Sequence, residues 1–151
     1  TLIVEGKAIT DSDNICLYLD NLSNEKSLYP KDRYWDCMTV ISVTNGIMEN
    51  AVNRYIEMSA ISEVEQRKKA IERFEKKILR SISWIENKFE EIFSNEITMD
   101  QIAIACALDY TSFRYTSDWG IENPKLKAWL ENISENDFMK STKPGVSFKY
   151  E

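Results

Sequence analysis

The stretch ITMDQIAIACALDYTSFRY, Ile97 to Tyr115, decides the fold. Ile102, Ala103, Ile104, Ala105, Cys106, Ala107 and Leu108 run for more than a helical turn without a polar face. A helix that is apolar all round is surrounded by protein, and small residues along it let neighbouring helices come close. Such a helix starts in a buried place, where its first N–H groups need acceptors. Thr98 and Gln101 stand at the spacing of a structural capping box. Thr98 Oγ is expected to accept from the Gln101 N–H, and the Gln101 side chain to reach back to the Thr98 N–H. Ile97 and Ile102 sit at the N′ and N4 spacing of a hydrophobic staple.

Working outward, the segment before this helix has the clearest period in the chain. Ile71, Phe74, Ile78, Ile82, Ile85 and Phe89 follow steps of three and four, which places them on one helix face. The opposite face, with Glu72, Arg73, Glu75, Lys76, Lys77 and Arg80, reads as solvated charge. An earlier long helix is expected from about Asp32 to Met58, with Trp35, Met38, Ile41, Val52, Tyr55 and Ile56 as its apolar positions. Gly46 in its middle costs ~1 kcal/mol against Ala and marks a close contact or a bend. SAISEVEQ, Ser59 to Gln66, separates the two helices. Downstream, NPKLKAWLENI is a short helix with Pro124 in its first turn and Leu126, Trp129, Leu130 and Ile133 inward. A last turn or two and a tail follow.

At the other end, TLIVEGKAIT reads as two short extended pieces joined at Glu5-Gly6. Asp11 or Ser12 then caps a helix carrying Ile15, Leu17, Tyr18, Leu19 and Leu22. The polar connection SNEKSLYPKD, with Pro30 near its end, separates two units. They are expected at 1–25 and 26–151.

Composition narrows the function. The chain has 151 residues, 43% hydrophobic and 29% charged, which suits one globular domain with a proper core. Only 4 Gly and 3 Pro favour long helices over a many-turned β fold. No apolar run approaches the roughly 18 residues that span a bilayer, and no secretory leader opens the sequence, so no membrane partner is expected. A net charge of −6 argues against nucleic acid as a partner, because phosphate binding needs a basic face. Histidine is absent, which removes His-based triads and His metal sites. Cys16, Cys37 and Cys106 form no CxxC pair, so a zinc ribbon and a dithiol redox motif are excluded and no metal is expected. Reduced, mostly buried thiols in a cytoplasm are the expectation.

The strand pair, the acidic-Ser helix start, Leu28-Tyr29-Pro30, the long helix pair, the capped apolar helix and NPKLKAWLENISENDFMKSTKP follow one another in an order that resembles bacterial glutathione transferases. NGIMENAV (Asn45 to Val52), IAIACALDYTSFR (Ile102 to Arg114) and FMKSTKP (Phe138 to Pro144) are similar to a subgroup of small glutathione-transferase-like proteins from proteobacteria. The resemblance covers almost the whole chain. It implies a mainly α fold: a glutathione-transferase C-terminal-like helical bundle, preceded by a remnant hairpin and helix of a thioredoxin-like domain. It also implies that the chain, which begins at Thr1 and not at Met, is a fragment that starts just after the family's cis-proline.

A helix start offers free N–H donors and the positive end of the macrodipole, so it suits a carboxylate. The Ser12 hydroxyl and N–H add hydrogen bonds, and the Asp11 carboxylate can pair with an ammonium group. Plain helix capping is the competing reading of the same two residues. By resemblance, Asp11 and Ser12 are the positions that bind the γ-glutamyl end of glutathione, with Asp where Glu is more usual. By the same resemblance, Asn45, Met48, Arg54 and Tyr110 are candidates for the pocket of a small hydrophobic electrophile, or for packing. Asn45 and Arg54 could instead face a partner subunit in a homodimer. Arg114 is expected to pair internally with a carboxylate, and Cys16 to serve packing. The implied activity of the parent is glutathione transfer, with glutathione as co-substrate and the catalytic group in a segment absent from this chain. The chain alone is then expected to be inactive. The alternative is a non-catalytic binding or scaffold module on the same fold.

Overall fold

The computed structural model describes residues 1–59, 65–93, 96–114 and 118–143. The order of elements is β1 (Leu2–Val4), β2 (Lys7–Ile9), α1 (Ser12–Leu22), α2 (Tyr34–Met58), α3 (Glu65–Asn87), α4 (Phe89–Ile92), α5 (Met99–Arg114), α6 (Pro124–Ile133) and α7 (Asp137–Ser141). The fold is mainly helical, with one hairpin in front. The strands are antiparallel, pairing Leu2 with Ile9, Ile3 with Ala8 and Val4 with Lys7. Glu5 and Gly6 close the turn at φ 49° and 77°. Two positive φ values in succession match the right-handed twist of paired strands.

The helical bundle is built on α2, which packs on both α3 and α5. Val40, Ile47 and Ala51 from α2, Ile78, Ile82 and Ile85 from α3, and Ile104, Ala107 and Leu108 from α5 form the main core. The period in α3 is therefore borne out where it matters: Ile78, Ile82 and Ile85 are fully buried. Phe89 lies beyond a break at Lys88, in α4, and packs half-buried against the same core. Ala105, Ile133 and Met139 bring α6 and α7 onto α5. Tyr29, Cys37 and Ile41 form a second cluster with Leu17, which anchors α1 to the bundle. Among the described residues no helix is long and apolar enough to cross a membrane.

Several expectations need correction. On α2 the inward face is Cys37, Val40, Ile41, Thr44, Ile47, Ala51 and Arg54, while Trp35, Val52, Tyr55 and Ile56 are exposed. The helix is apolar on more than one side, and its neighbours choose which side is covered. A Cβ added at Gly46 meets open space, so no close contact explains that glycine. Helix α5 is buried along most of its surface but not all round: Cys106 is exposed and Cys16 half-buried, leaving Cys37 as the one buried thiol of the three. SAISEVEQ is interrupted only in part, since α3 already begins at Glu65, and residues 60–64 lie outside the described ones.

The start of α5 also differs. The Thr98 carbonyl accepts the Ile102 N–H at 3.1 Å, so the helix begins where expected. The reciprocal capping box is replaced by a charged one. Asp100, fully buried, accepts from Arg33 Nη1 at 2.6 Å and Nη2 at 3.3 Å. Asp100 Oδ1 also accepts the Gln101 N–H at 3.1 Å and the Thr98 hydroxyl at 2.5 Å. An ionised carboxylate is a stronger acceptor than a threonine hydroxyl, so it takes the donor that Thr98 was expected to hold. The Gln101 side chain instead donates to the carbonyls of Glu96 and Ile92, at 3.1 and 3.4 Å. Ile97, half of the expected staple, is exposed.

Cys37 lies beside this cluster, and burial, with the Asp100 charge as a lesser cause, pushes its thiol from 9.0 up to about 11. The folded protein therefore keeps the thiol neutral at a pH where the unfolded chain has begun to lose its proton. Between those values the unfolded state binds fewer protons, so this contribution to stability falls as pH rises. Urea-unfolding midpoints measured from pH 8 to 11 are expected to decline more steeply for the wild type than for Cys37→Ala. Parallel declines would show that Cys37 is not the titrating group.

Candidate functional site

Asp11 is the N-cap of α1 and sits at φ 74°, ψ 137°. A non-glycine residue in this region stores about 1–3 kcal/mol of strain and persists only where its surroundings hold it. Two such bonds are local. Asp11 Oδ1 accepts the Asp13 N–H at 3.0 Å, and the Asp11 carbonyl accepts the Ile15 N–H at 3.1 Å. A third interaction comes from α2: Asn45 Nδ2 donates to Asp13 Oδ2 at 2.6 Å. The first turn of α1 is thus pinned on the middle of α2.

Between that turn and the outward side of α2 lies an open cavity of about 670 Å³, lined by Asp11 and Ser12 on one side and by Asn45, Gly46, Met48 and Glu49, among others, on the other. Asp11 and Ser12 are both exposed to it. The wall combines a helix N-terminus, a hydroxyl and the carboxylates of Asp11 and Glu49. A zwitterionic head group suits it, with its carboxylate on the α1 N–H groups and its ammonium on the acidic side chains. Among the described residues no group of three or more His, Cys, Asp or Glu side chains is placed to hold a metal ion.

Of the residues singled out from the sequence, Asp11, Ser12, Asn45 and Met48 come together at this cavity. Arg54 and Tyr110 do not line it. Arg54 is buried, and its Nε donates to Glu75 Oε1 at 2.7 Å while Nη1 donates to the Arg114 carbonyl at 3.3 Å, which ties α2 to α3 and to the end of α5. That burial removes Arg54 from an exposed pocket or subunit face. Tyr110 packs half-buried against the main core. The Arg114 guanidinium stacks over Tyr55 at 4.4 Å and Phe113 at 4.7 Å, and it makes no ion pair with a carboxylate among the described residues. Asp13 escaped the sequence reading. An acidic residue in a first helical turn looks like ordinary dipole complementation, and nothing local announces its partner on α2.

Residues 68–132 match the family described as the glutathione S-transferase, C-terminal domain. A curated relative, the uncharacterized GST-like protein YibF of Escherichia coli K12, is 25% identical over 145 residues, covering 93% of this chain and 71% of YibF. A glutathione transferase family member from Pseudomonas fluorescens Pf-5, solved with bound glutathione, superimposes with a TM-score of 0.87 at 27% identity, over 94% of this chain and 71% of that one. The chain is similar to glutathione-transferase-like proteins in both sequence and fold. A glutathione S-transferase from Methylobacillus flagellatus KT, solved with glutathione bound, shares the fold at a TM-score of 0.83 and 24% identity, over 93% of this chain and 72% of that one. The matched segment runs from within α3 to within α6. The cavity lies outside it, between α1 and α2.

Proposed function

We propose that the start of α1 binds the γ-glutamyl end of glutathione, and that the protein transfers the thiol of glutathione to a small hydrophobic electrophile. The observation that carries this reading is the strained Asp11 beside Ser12 at a helix N-terminus on the lip of the cavity. The Ser12 N–H and hydroxyl would hold the glutamyl carboxylate, and Asp11 would pair with its ammonium. The glutathione bound in relatives of the same fold supports the ligand. Met48 and Val52 give the far wall an apolar part for an electrophile. Residues 1–25 read as part of a thioredoxin-like unit and 26–151 as the helical domain. The exposed Trp35 and Ile56 on the outward side of α2 support a homodimer along that helix, and the free cysteines support a reducing cytoplasm.

The test is calorimetric titration of the full-length protein with glutathione. A hydrogen bond to a charged group contributes about 1.5–3 kcal/mol, so Asp11→Ala and Ser12→Ala are each expected to weaken binding by roughly 10- to 100-fold. Unchanged affinity in both variants would overturn the assignment.

A second reading is a non-catalytic glutathione-binding or scaffold module on the same fold; among the described residues no cysteine or tyrosine lines the cavity. Turnover of an aryl halide by the full-length protein separates the readings: conjugation supports transfer, and glutathione binding without conjugation supports the module.

A further inference from the structure

The geometry points to Asn45 as the residue that positions the glutathione-binding turn, acting from α2 through Asp13. This rests on the glutathione reading above. Asn45 Nδ2 donates to Asp13 Oδ2 at 2.6 Å, and the Asp13 N–H donates to Asp11 Oδ1 at 3.0 Å. The two bonds form a relay from the middle of α2 to the side chain of Asp11. Asp13 and Asn45 are both half-buried, so the bond between them is partly shielded from water, while the bond from Asp13 to Asp11 is exposed. The backbone of Asp11, at φ 74°, is what aims Ser12 and the first N–H groups of α1 at the cavity. Strain of that kind relaxes unless an outside contact opposes it. Among the described residues, the Asn45 amide makes the side-chain hydrogen bond that joins this first turn to α2.

The relay has a second effect. Asp13 puts a negative charge one residue after Ser12, where the glutamyl carboxylate would bind. The Asn45 donor is directed at that charge and holds the Asp13 carboxylate toward α2. Without it, the Asp13 side chain is free to turn toward the incoming anion. Asn45 lines the same cavity but acts on the turn through Asp13, so its effect falls on glutathione affinity and KM more than on kcat.

The arrangement can be tested by exchanging its partners in the full-length protein. Asn45→Asp sets two carboxylates at hydrogen-bond distance. It is expected to raise the Kd for glutathione at least tenfold and to raise the glutathione KM with kcat kept within about threefold, a tenfold change being about 1.4 kcal/mol. The double variant Asn45→Asp with Asp13→Asn reverses donor and acceptor and restores one bond of the same length. It is expected to recover the Kd to within about threefold of the wild type. A merely structural role predicts a shifted unfolding midpoint with glutathione affinity intact. Asn45→Asp binding glutathione as the wild type does, or the exchanged pair binding as weakly as the single variant, overturns the inference and leaves the glutathione site standing. A wild-type protein that fails to bind glutathione overturns both.

Discussion

Replacement of Asp100 by Ala is expected to lower the free energy of unfolding by about 3–5 kcal/mol. Asp100 is fully buried, and the Arg33 side chain that meets it is 21% exposed. The pair joins the residue before α2 to the first turn of α5, across 67 positions of sequence. Removing the carboxylate leaves the guanidinium partly desolvated, and it also takes the acceptor from the Gln101 N–H and the Thr98 hydroxyl. Breaking one side of a buried pair is far more costly than replacing both sides with well-packed apolar groups. The double variant Arg33→Met with Asp100→Leu is therefore expected to regain a large part of the loss. Urea unfolding followed by circular dichroism reads both. A loss under 1 kcal/mol for Asp100→Ala, or a double variant no better than the single one, would contradict the role given to this pair.

The second large effect is expected at Leu108, where substitution by Ala is predicted to cost about 2–5 kcal/mol. Leu108 is fully buried in the main core, on the helix that packs on α2 and α6. Truncation removes apolar burial and leaves a cavity that rigid helices close only in part. The control is Phe113, which lies one turn or so further along α5 and is 63% exposed. Phe113→Ala is expected to cost well under 1 kcal/mol beyond its stacking with Arg114. Equal losses at Leu108 and Phe113 would mean that α5 is not buried on the face described.

These effects also mark what could be seen in the sequence. Ile78, Ile82 and Ile85 keep a strict period because one side of α3 faces the core, so periodicity alone locates them. The apolar stretch of α5 and the capping residues at the start of α1 are local signals, and both were legible. Helix α2 was not, because apolar residues lie on more than one side. Trp35 and Ile56 face outward, while Thr44 and Arg54 are buried. Which side is covered depends on α3 and α5, and period does not carry that information. The Arg33–Asp100 pair and the Asn45–Asp13 bond join residues 67 and 32 positions apart. No local pattern announces such a partner. Arg54 illustrates the same limit: an arginine beside a candidate pocket in sequence turned inward to Glu75.

The most direct measurement is a titration of the isotope-labelled full-length protein with glutathione, followed through backbone amide resonances. The amides of Ser12, Asp13 and Asn14 and the side-chain amide of Asn45 are expected to shift together, saturating with one affinity. Shifts confined to other surfaces, or no shift at millimolar glutathione, would contradict a γ-glutamyl site at the start of α1.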